Sequence, residues 1–267
     1  MTHSWGYGNN NGPRTWATHF PDAGGSEQSP IDVCVCDAVF DVGLLTSPLT
    51  PTYCTEDGVE LNNTGESFKV NIKKCSELRG GPLESLYRLE QFHLHWGSCD
   101  NRGSEHTING RAFAAELHFV HWNCHKYNSL AEAADKPNGL AVIGVMIQCG
   151  KEHPGFKYLV EAMPRVRGCG HKCQVTTLFN PSVLLPDNIQ EYWTYHGSLT
   201  TPPCFESVQW IVIRQPVEFS SSQLQSLRTL LGGDGDACIV DNFRPPLPLG
   251  DRKLRSSFNE TVINYRF

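Results

Sequence analysis

Histidines 93 and 95 stand one residue apart in the run QFHLHWGS. Phe92, Leu94 and Trp96 alternate with polar residues there, which is the period of a strand. Residues i and i+2 of a strand point to one face, so both imidazoles look the same way. A catalytic zinc takes three protein ligands and keeps a fourth position for water, so a third ligand must come from another segment. AAELHFVHWN supplies two candidates, His118 and His121. On a strand these face opposite ways: Glu116 and His118 share one side, while Leu117, Phe119 and His121 share the other. On a helix, i and i+3 would fall together. Three neutral imidazoles leave zinc its full charge, and a bound water then has a pKa of about 7. Each ligating imidazole also needs an acceptor for its other nitrogen. Gln91, on the face of His93 and His95, and Glu116, on the face of His118, suit that part. A rival cluster, Cys169, His171 and Cys173 of CGHKC, has no evident fourth ligand and reads as a surface loop.

The elements that must hold these residues are mostly strands. Short β-like runs occur in GVELNN, SFKVNI, YRLEQFHLHWG, AFAAELHFVHW, LAVIGVMIQC and ESVQWIVIRQPVEF, with turn-forming clusters between them. SLAEAAD and SSSQLQSLRTLL read as helices, the second with serines for an N-cap and glycines just past its end. The first thirty residues look irregular. No repeat, low-complexity tract or linker interrupts the chain, so residues 1–267 are expected to form one sheet-dominated domain with a few peripheral helices.

Composition agrees. A chain of 267 residues with 39% hydrophobic content can bury one large core. Its 24 glycines and 17 prolines follow no collagen-like period and favour strands and turns over a helical bundle. A formal net charge of −6 without a basic block argues against nucleic acid and against an anionic membrane surface. The start, MTHSWGYGNNNGP, lacks the basic and apolar regions of a signal peptide, and FNETVINYRF at the end has no hydrophobic tail. The longest apolar run, Gly139 to Ile147, falls far short of the roughly 20 residues of a membrane helix. These features lead us to expect a soluble, cytoplasmic protein. The 11 cysteines are odd in number and scattered. We read most as reduced thiols, many of them small core hydrophobes beside apolar residues in VCVC and AVIGVMIQC. Sequons at Asn62 and Asn259 point the other way.

FHLHWGS, GSEHTING, AAELHFVHWN, YWTYHGSLTTPPC and NFRPPLPL, with WGYG and QSPID near the start, resemble the α-carbonic anhydrases. The motifs run in family order and near-family spacing from about Trp5 onward. The resemblance implies a mainly β fold with peripheral helices, an α+β domain around a large, twisted, mostly antiparallel sheet of about ten strands. It implies zinc at the bottom of a conical cleft, bound by His93, His95 and His118, with His121 outside the set. Asn242 would offer its backbone carbonyl to His95. The pKa of about 7 for zinc-bound water is that family's own value, carried over. The implied reaction is reversible hydration of carbon dioxide to bicarbonate and a proton by zinc-hydroxide attack. Sulfonamides and anions would inhibit, and the working unit would be a monomer.

The resemblance also assigns roles around the metal. Thr200 of GSLTTPP matches the gatekeeper, with Glu105 of GSEHT behind it. An ionised glutamate only accepts, so the Thr200 hydroxyl must donate to it and keep its lone pairs for the nucleophile. Val120, Val142, Leu199 and Trp210 match the apolar wall where carbon dioxide, which has no net dipole, would rest. Thr201 would help place bicarbonate. Two departures stand out. Cys204 fits a position that extracellular members pair with a second cysteine, but Ala23 stands where the partner would be, which points to a reducing compartment. The family's proton-shuttle histidine falls in an NNGH-like segment. Here the segment reads NNTGESF, one residue longer, with Glu66 nearest that place and His3 as another group that could reach the rim. The alternative function is a non-catalytic carbonic-anhydrase-like binding domain. Such relatives lose a zinc histidine, whereas all three are present here.

Overall fold

Alternating strands cannot leave their apolar sides in water, and here they join one large sheet. The computed structural model describes residues 5–233 and 237–259, and within these twelve strands join that sheet. From edge to edge run Lys172–Val175, Val59–Asn63, Phe68–Asn71, Leu83–Trp96, Ala115–Asn123, Leu140–Cys149, Val208–Phe219, Tyr192–Gly197, Arg255–Ser256 and Val39–Phe40. Thr50–Thr52 and Glu77–Gly80 branch off beside Leu83–Trp96. Neighbours are antiparallel except where Leu140–Cys149 meets Val208–Phe219 and where Arg255–Ser256 meets Val39–Phe40. A separate parallel pair joins Asp32–Val33 to Thr107–Ile108.

The central strands are buried on both faces, and their side chains divide by parity. Leu117, Phe119, Ala141, Ile143, Val145, Ile211 and Ile213 enter one core cluster. Val120, Trp122, Leu140, Val142, Met146, Val208, Trp210 and Val212 enter a second, on the opposite face. All nine residues of Ala115–Asn123 are therefore buried, and the polar ones among them need partners inside the protein. Every face of this strand is core.

Both expected helices form, each shorter than its pattern. Leu130–Ala133 is capped by Ser129. Ser221–Leu227 carries a capping box between Ser220 and Gln223, but it stops before Arg228–Leu231. Tertiary bonds claim that stretch: Arg228 donates to the Gly97 carbonyl and to Asp100, and the Leu231 N–H to the Arg167 carbonyl. The helices Trp16–His19, Val42–Thr46 and Lys157–Ala162 span only 4, 5 and 6 residues, too few for a helical period to register in the sequence.

Two expectations need correction. CGHKC is not simply a surface loop: Lys172 and Cys173 open an edge strand that pairs with Val59–Asn63. The cysteines are mostly not core hydrophobes either, since Cys204 alone is buried and Cys36, Cys75, Cys99, Cys149, Cys169 and Cys238 are exposed. Cys34 and Cys36 of VCVC sit at a turn that follows buried Val33, and Cys149 ends its strand, so an apolar neighbour in sequence does not carry the thiol inward.

All eleven cysteines are free thiols. A native disulfide typically contributes about 2–4 kcal/mol, so the melting temperature is expected to stay unchanged when reductant is added. A large fall, followed by calorimetry, would reveal a bridge and an oxidising compartment.

Candidate metal centre

Register brings the histidines together. His93 on Leu83–Trp96 stands directly opposite His118 on Ala115–Asn123, and His95 stands opposite Glu116. The three rings of His93, His95 and His118 have centroids 4.7–5.2 Å apart, and one nitrogen from each lies within 4.8 Å of the others. His121 turns to the other face, where its Nε2 meets the Tyr53 hydroxyl at 2.8 Å and its Nδ1 the Ala141 carbonyl at 3.1 Å.

Each ring of the cluster uses its remaining nitrogen on an acceptor. His93 Nδ1 donates to Gln91 Oε1 at 3.0 Å, His95 Nδ1 to the Asn242 carbonyl at 2.7 Å, and His118 Nε2 to Glu116 Oε1 at 2.8 Å. Those bonds set the tautomers and leave His93 Nε2, His95 Nε2 and His118 Nδ1 as lone-pair donors facing one another. Burial holds all three rings neutral. It lowers the pKa of His95 to about 3, and it pulls His93 and His118 down as well. His95 Nε2 is buried without a hydrogen-bond partner, and an unpaired buried polar atom costs about 1–3 kcal/mol. Three neutral imidazoles with convergent lone pairs fit zinc in type and number. A second grouping, His106, Glu116 and His118, does not need a metal: His106 Nδ1 bonds Glu116 at 2.7 Å and its Nε2 meets the Tyr195 hydroxyl at 2.7 Å.

Two buried carboxylates flank the cluster. Burial favours the neutral form of Glu116, but its interactions and hydrogen bonds with His106 and His118 outweigh it and hold the group well below the usual range. Its Oε2 also accepts the backbone N–H groups of Glu105 and His106. Burial and the nearby Glu116 push Glu105 the opposite way, well above the usual range, against hydrogen bonds from the Arg244 backbone and the Thr200 side chain. Glu105 Oε2 lies 3.3 Å from His95 Nε2 and 3.9 Å from His118 Nδ1.

The expected apolar wall is a row across three strands. Val142 is the register partner of both Val120 and Trp210, and Leu199 packs against the same cluster. The Trp210 ring meets His118 edge-on at 4.9 Å, and its Nε1 donates to the Ser198 carbonyl at 3.0 Å. Thr200 is buried and Thr201 half-buried on the bend that follows Tyr192–Gly197. Glu66 is half-buried in the wall of a cavity of about 530 Å³ beside Asn242, with Trp5 and Tyr7 also lining it. Burial raises the Glu66 carboxyl above its ordinary value, partly offset by hydrogen bonding with Thr64. His3 lies outside the described residues.

Several supporting residues escape a reading by strand face. His106 and Tyr195 hold Glu116 and, through the Tyr195 hydroxyl, Ser29 at 2.9 Å. The buried Arg244 guanidinium donates to Gln28 and to the Ser29 and Ala23 carbonyls. Asn242 also does more than offer a carbonyl, since its side chain accepts from the Trp96 N–H and donates to the Glu66 carbonyl. Gly144 is the register partner of His118, and a Cβ there would come 3.0 Å from Glu116 Oε1. The quoted motifs GSEHTING, QSPID, YWTYHGSLTTPPC and NFRPPLPL, which contain several of these residues, carried the signal for them.

Residues 11–258 match the family model described as eukaryotic-type carbonic anhydrase. Carbonic anhydrase 7 of Homo sapiens is 45% identical over 262 residues, covering 96% of this chain and 98% of the relative. Carbonic anhydrase 7 of Mus musculus shows the same identity and coverage. Carbonic anhydrase 1 of Monodelphis domestica is 42% identical over 261 residues, with 96% and 98% covered. A match that spans nearly the whole chain, over the strands that carry the histidine cluster, makes this protein a member of the eukaryotic-type carbonic anhydrase family.

Proposed function

We propose that this enzyme reversibly hydrates carbon dioxide to bicarbonate and a proton, with zinc held by His93, His95 and His118. The observation that carries the proposal is the set of three neutral imidazoles, two buried and one half-buried, whose free nitrogens converge, one of them buried without a hydrogen-bond partner. Zinc in that position supplies the Lewis acidity that makes a hydroxide nucleophile available at neutral pH. Glu105 would be favoured in its carboxylate form by a cation held there, against the upward push of burial. Ionised Glu105 can only accept, so the Thr200 hydroxyl donates to it and turns its own lone pairs toward the nucleophile, fixing the direction of attack. Val120, Val142, Leu199 and Trp210 offer carbon dioxide an apolar surface and exclude water from it. Thr201 orients the bicarbonate.

The proton released in each turnover leaves by way of Glu66 or by water alone. A relay works best when its pKa lies near that of the donor. A carboxylate starts far below 7, and the half-burial of Glu66 narrows that gap. We further propose that residues 1–267 act as one catalytic domain and as a monomer, open to sulfonamide and anion inhibitors, in the cytoplasm. A reducing compartment is supported by the free thiols and by Ala23, which packs with Trp16 and buried Cys204 in place of a second sulfur. Among the described residues, no helix is long and apolar enough to cross a membrane.

Metal analysis of purified variants tests the ligand set. His118→Ala is expected to lose both zinc and hydration activity, while His121→Ala keeps its zinc; equal loss in the two would refute the assignment. Thr200→Ala is expected to retain zinc and to slow hydration by about 10²-fold, the scale of one oriented hydrogen bond at a reacting centre. A stopped-flow rate equal to that of the parent would remove Thr200 from the mechanism. Proton export is expected to limit turnover, so added imidazole buffer should raise it, and Glu66→His should raise it at low buffer. Indifference to both changes would show that another step limits the rate.

A further inference from the structure

The segment Cys34-Val35-Cys36-Asp37 takes no part in the centre described above. It forms a 3-10 turn over Val35–Asp37, directly after the strand Asp32–Val33. Backbone bonds fix it: the Cys34 N–H donates to the Asp32 carbonyl at 3.1 Å and the Asp37 N–H to the Cys34 carbonyl at 3.0 Å. The Val35 N–H donates to Asn109 Oδ1 at 2.9 Å. Asn109 and Gly110 form a tight turn with φ of 50° and 76°. That turn is tied back in its own right, because Asp32 Oδ1 accepts from the Gly110 N–H at 2.8 Å and from the Thr107 hydroxyl at 2.6 Å. The side chains of the turn are thus presented from an anchored backbone.

What it presents is two thiols and a carboxylate in one place. Cys34 Sγ lies 3.0 Å from Cys36 Sγ, and Cys36 Sγ lies 3.6 Å from Asp37 Oδ1. All three donor atoms fall within 4.8 Å of one another, with Cys34 half-buried and the other two residues exposed. The cysteines of Cys75 with Glu77 and of Cys149 with Asp100 bring one sulfur each to a carboxylate. Here there are two. The Cys34 thiol is pushed up to about 11, first by its hydrogen bond with Cys36 and then by that with Asp37. Ionising the cluster without a counterion gathers negative charge at one spot, and a bound cation would cancel it.

We propose that Cys34, Cys36 and Asp37 form a second metal site, for a thiophilic divalent cation of the zinc and cadmium kind. Soft thiolate donors select such ions over magnesium or calcium. Two sulfurs and a carboxylate oxygen fill three corners of the tetrahedron that zinc prefers. At a metal–sulfur distance of about 2.3 Å the two sulfurs stand roughly 3.8 Å apart, so the pair opens by less than about 1 Å on binding. Both thiol protons pass to solvent as the ion enters, and water takes the exposed fourth corner. With one corner left to water, the ion exchanges more readily than one held by four protein ligands.

Cadmium alone, titrated into the zinc-loaded enzyme under a phosphine reductant, tests the site. About one equivalent should bind, with a thiolate-to-cadmium charge-transfer band in the ultraviolet, release of protons, and no zinc displaced from the histidine cluster. Cys34→Ser and Cys36→Ser should each lose most of the band without changing the hydration rate. Asp37→Asn should weaken cadmium on the order of tenfold or more, and Cys75→Ser should leave the titration as it was. A band that survives in the Cys34→Ser, Cys36→Ser double variant would overturn the proposal. So would an absence of cadmium uptake, full-strength binding in either single variant, or unchanged affinity in Asp37→Asn.

Discussion

Packing three imidazoles, two buried and one half-buried, side by side on an apolar sheet face is tolerable only if each ring has an acceptor for its N–H. An unpaired buried donor costs about 1–3 kcal/mol, and three would consume a large share of a marginal folding free energy. Gln91, the Asn242 carbonyl and Glu116 remove that cost one ring at a time. Their positions also decide which nitrogen of each ring stays bare. The acceptors therefore shape the centre as much as the histidines do. Because two of the rings point Nε2 inward and the third points Nδ1 inward, the three lone pairs converge although the side chains come from two antiparallel strands.

Glu116 ties this arrangement to the rest of the molecule. It sits opposite His95 in register, bonds His118 on its own strand, and takes His106 and two backbone N–H groups from the segment that carries Glu105. A buried carboxylate so fully hydrogen-bonded stays charged. Glu105, 11 residues before it in the chain, has fewer donors and a like charge nearby, and burial pushes it toward the neutral form. One pair of identical side chains is thereby driven in opposite directions by environment alone. Arg244 closes the network, its backbone N–H on Glu105 and its guanidinium on the segment Ala23–Ser29. Charge, hydrogen bonding and chain connectivity meet at the same few residues.

The two core clusters on opposite sheet faces explain why the centre sits where it does. On one face, aliphatic and aromatic side chains pack around His121, whose ring is satisfied by Tyr53 and the Ala141 carbonyl. On the other, the row Val120, Val142 and Trp210 continues the apolar surface to the edge of the His118 ring. A polar cluster is thus bordered by a hydrocarbon wall. The thiol turn lies elsewhere, on the small parallel pair Asp32–Val33 and Thr107–Ile108, whose Val33 and Ile108 pack into that same apolar cluster.

Strand stereochemistry made part of this legible in advance. A period of two puts Gln91, His93 and His95 on one side and parts His118 from His121, whatever the rest of the chain does. Quoted motifs, matched to a family, supplied Thr200, Glu105, Asn242 and the apolar wall. Local pattern could not supply the neighbours. Nothing in QFHLHWGS says that Ala115–Asn123 will lie beside it in the register that sets His93 against His118, or that Asn242 will return 147 residues later to meet His95. The same limit hid His106 and Arg244 as supports, cut the helix at Leu227 and drew Lys172–Val175 into the sheet. It also concealed how close Cys34 and Cys36 come, since two residues on a strand would have kept their sulfurs farther apart than the turn does. Which face a side chain takes is settled within a few residues by backbone geometry. Which groups finally touch is settled by contacts between distant segments, and those exist only once the whole chain has folded.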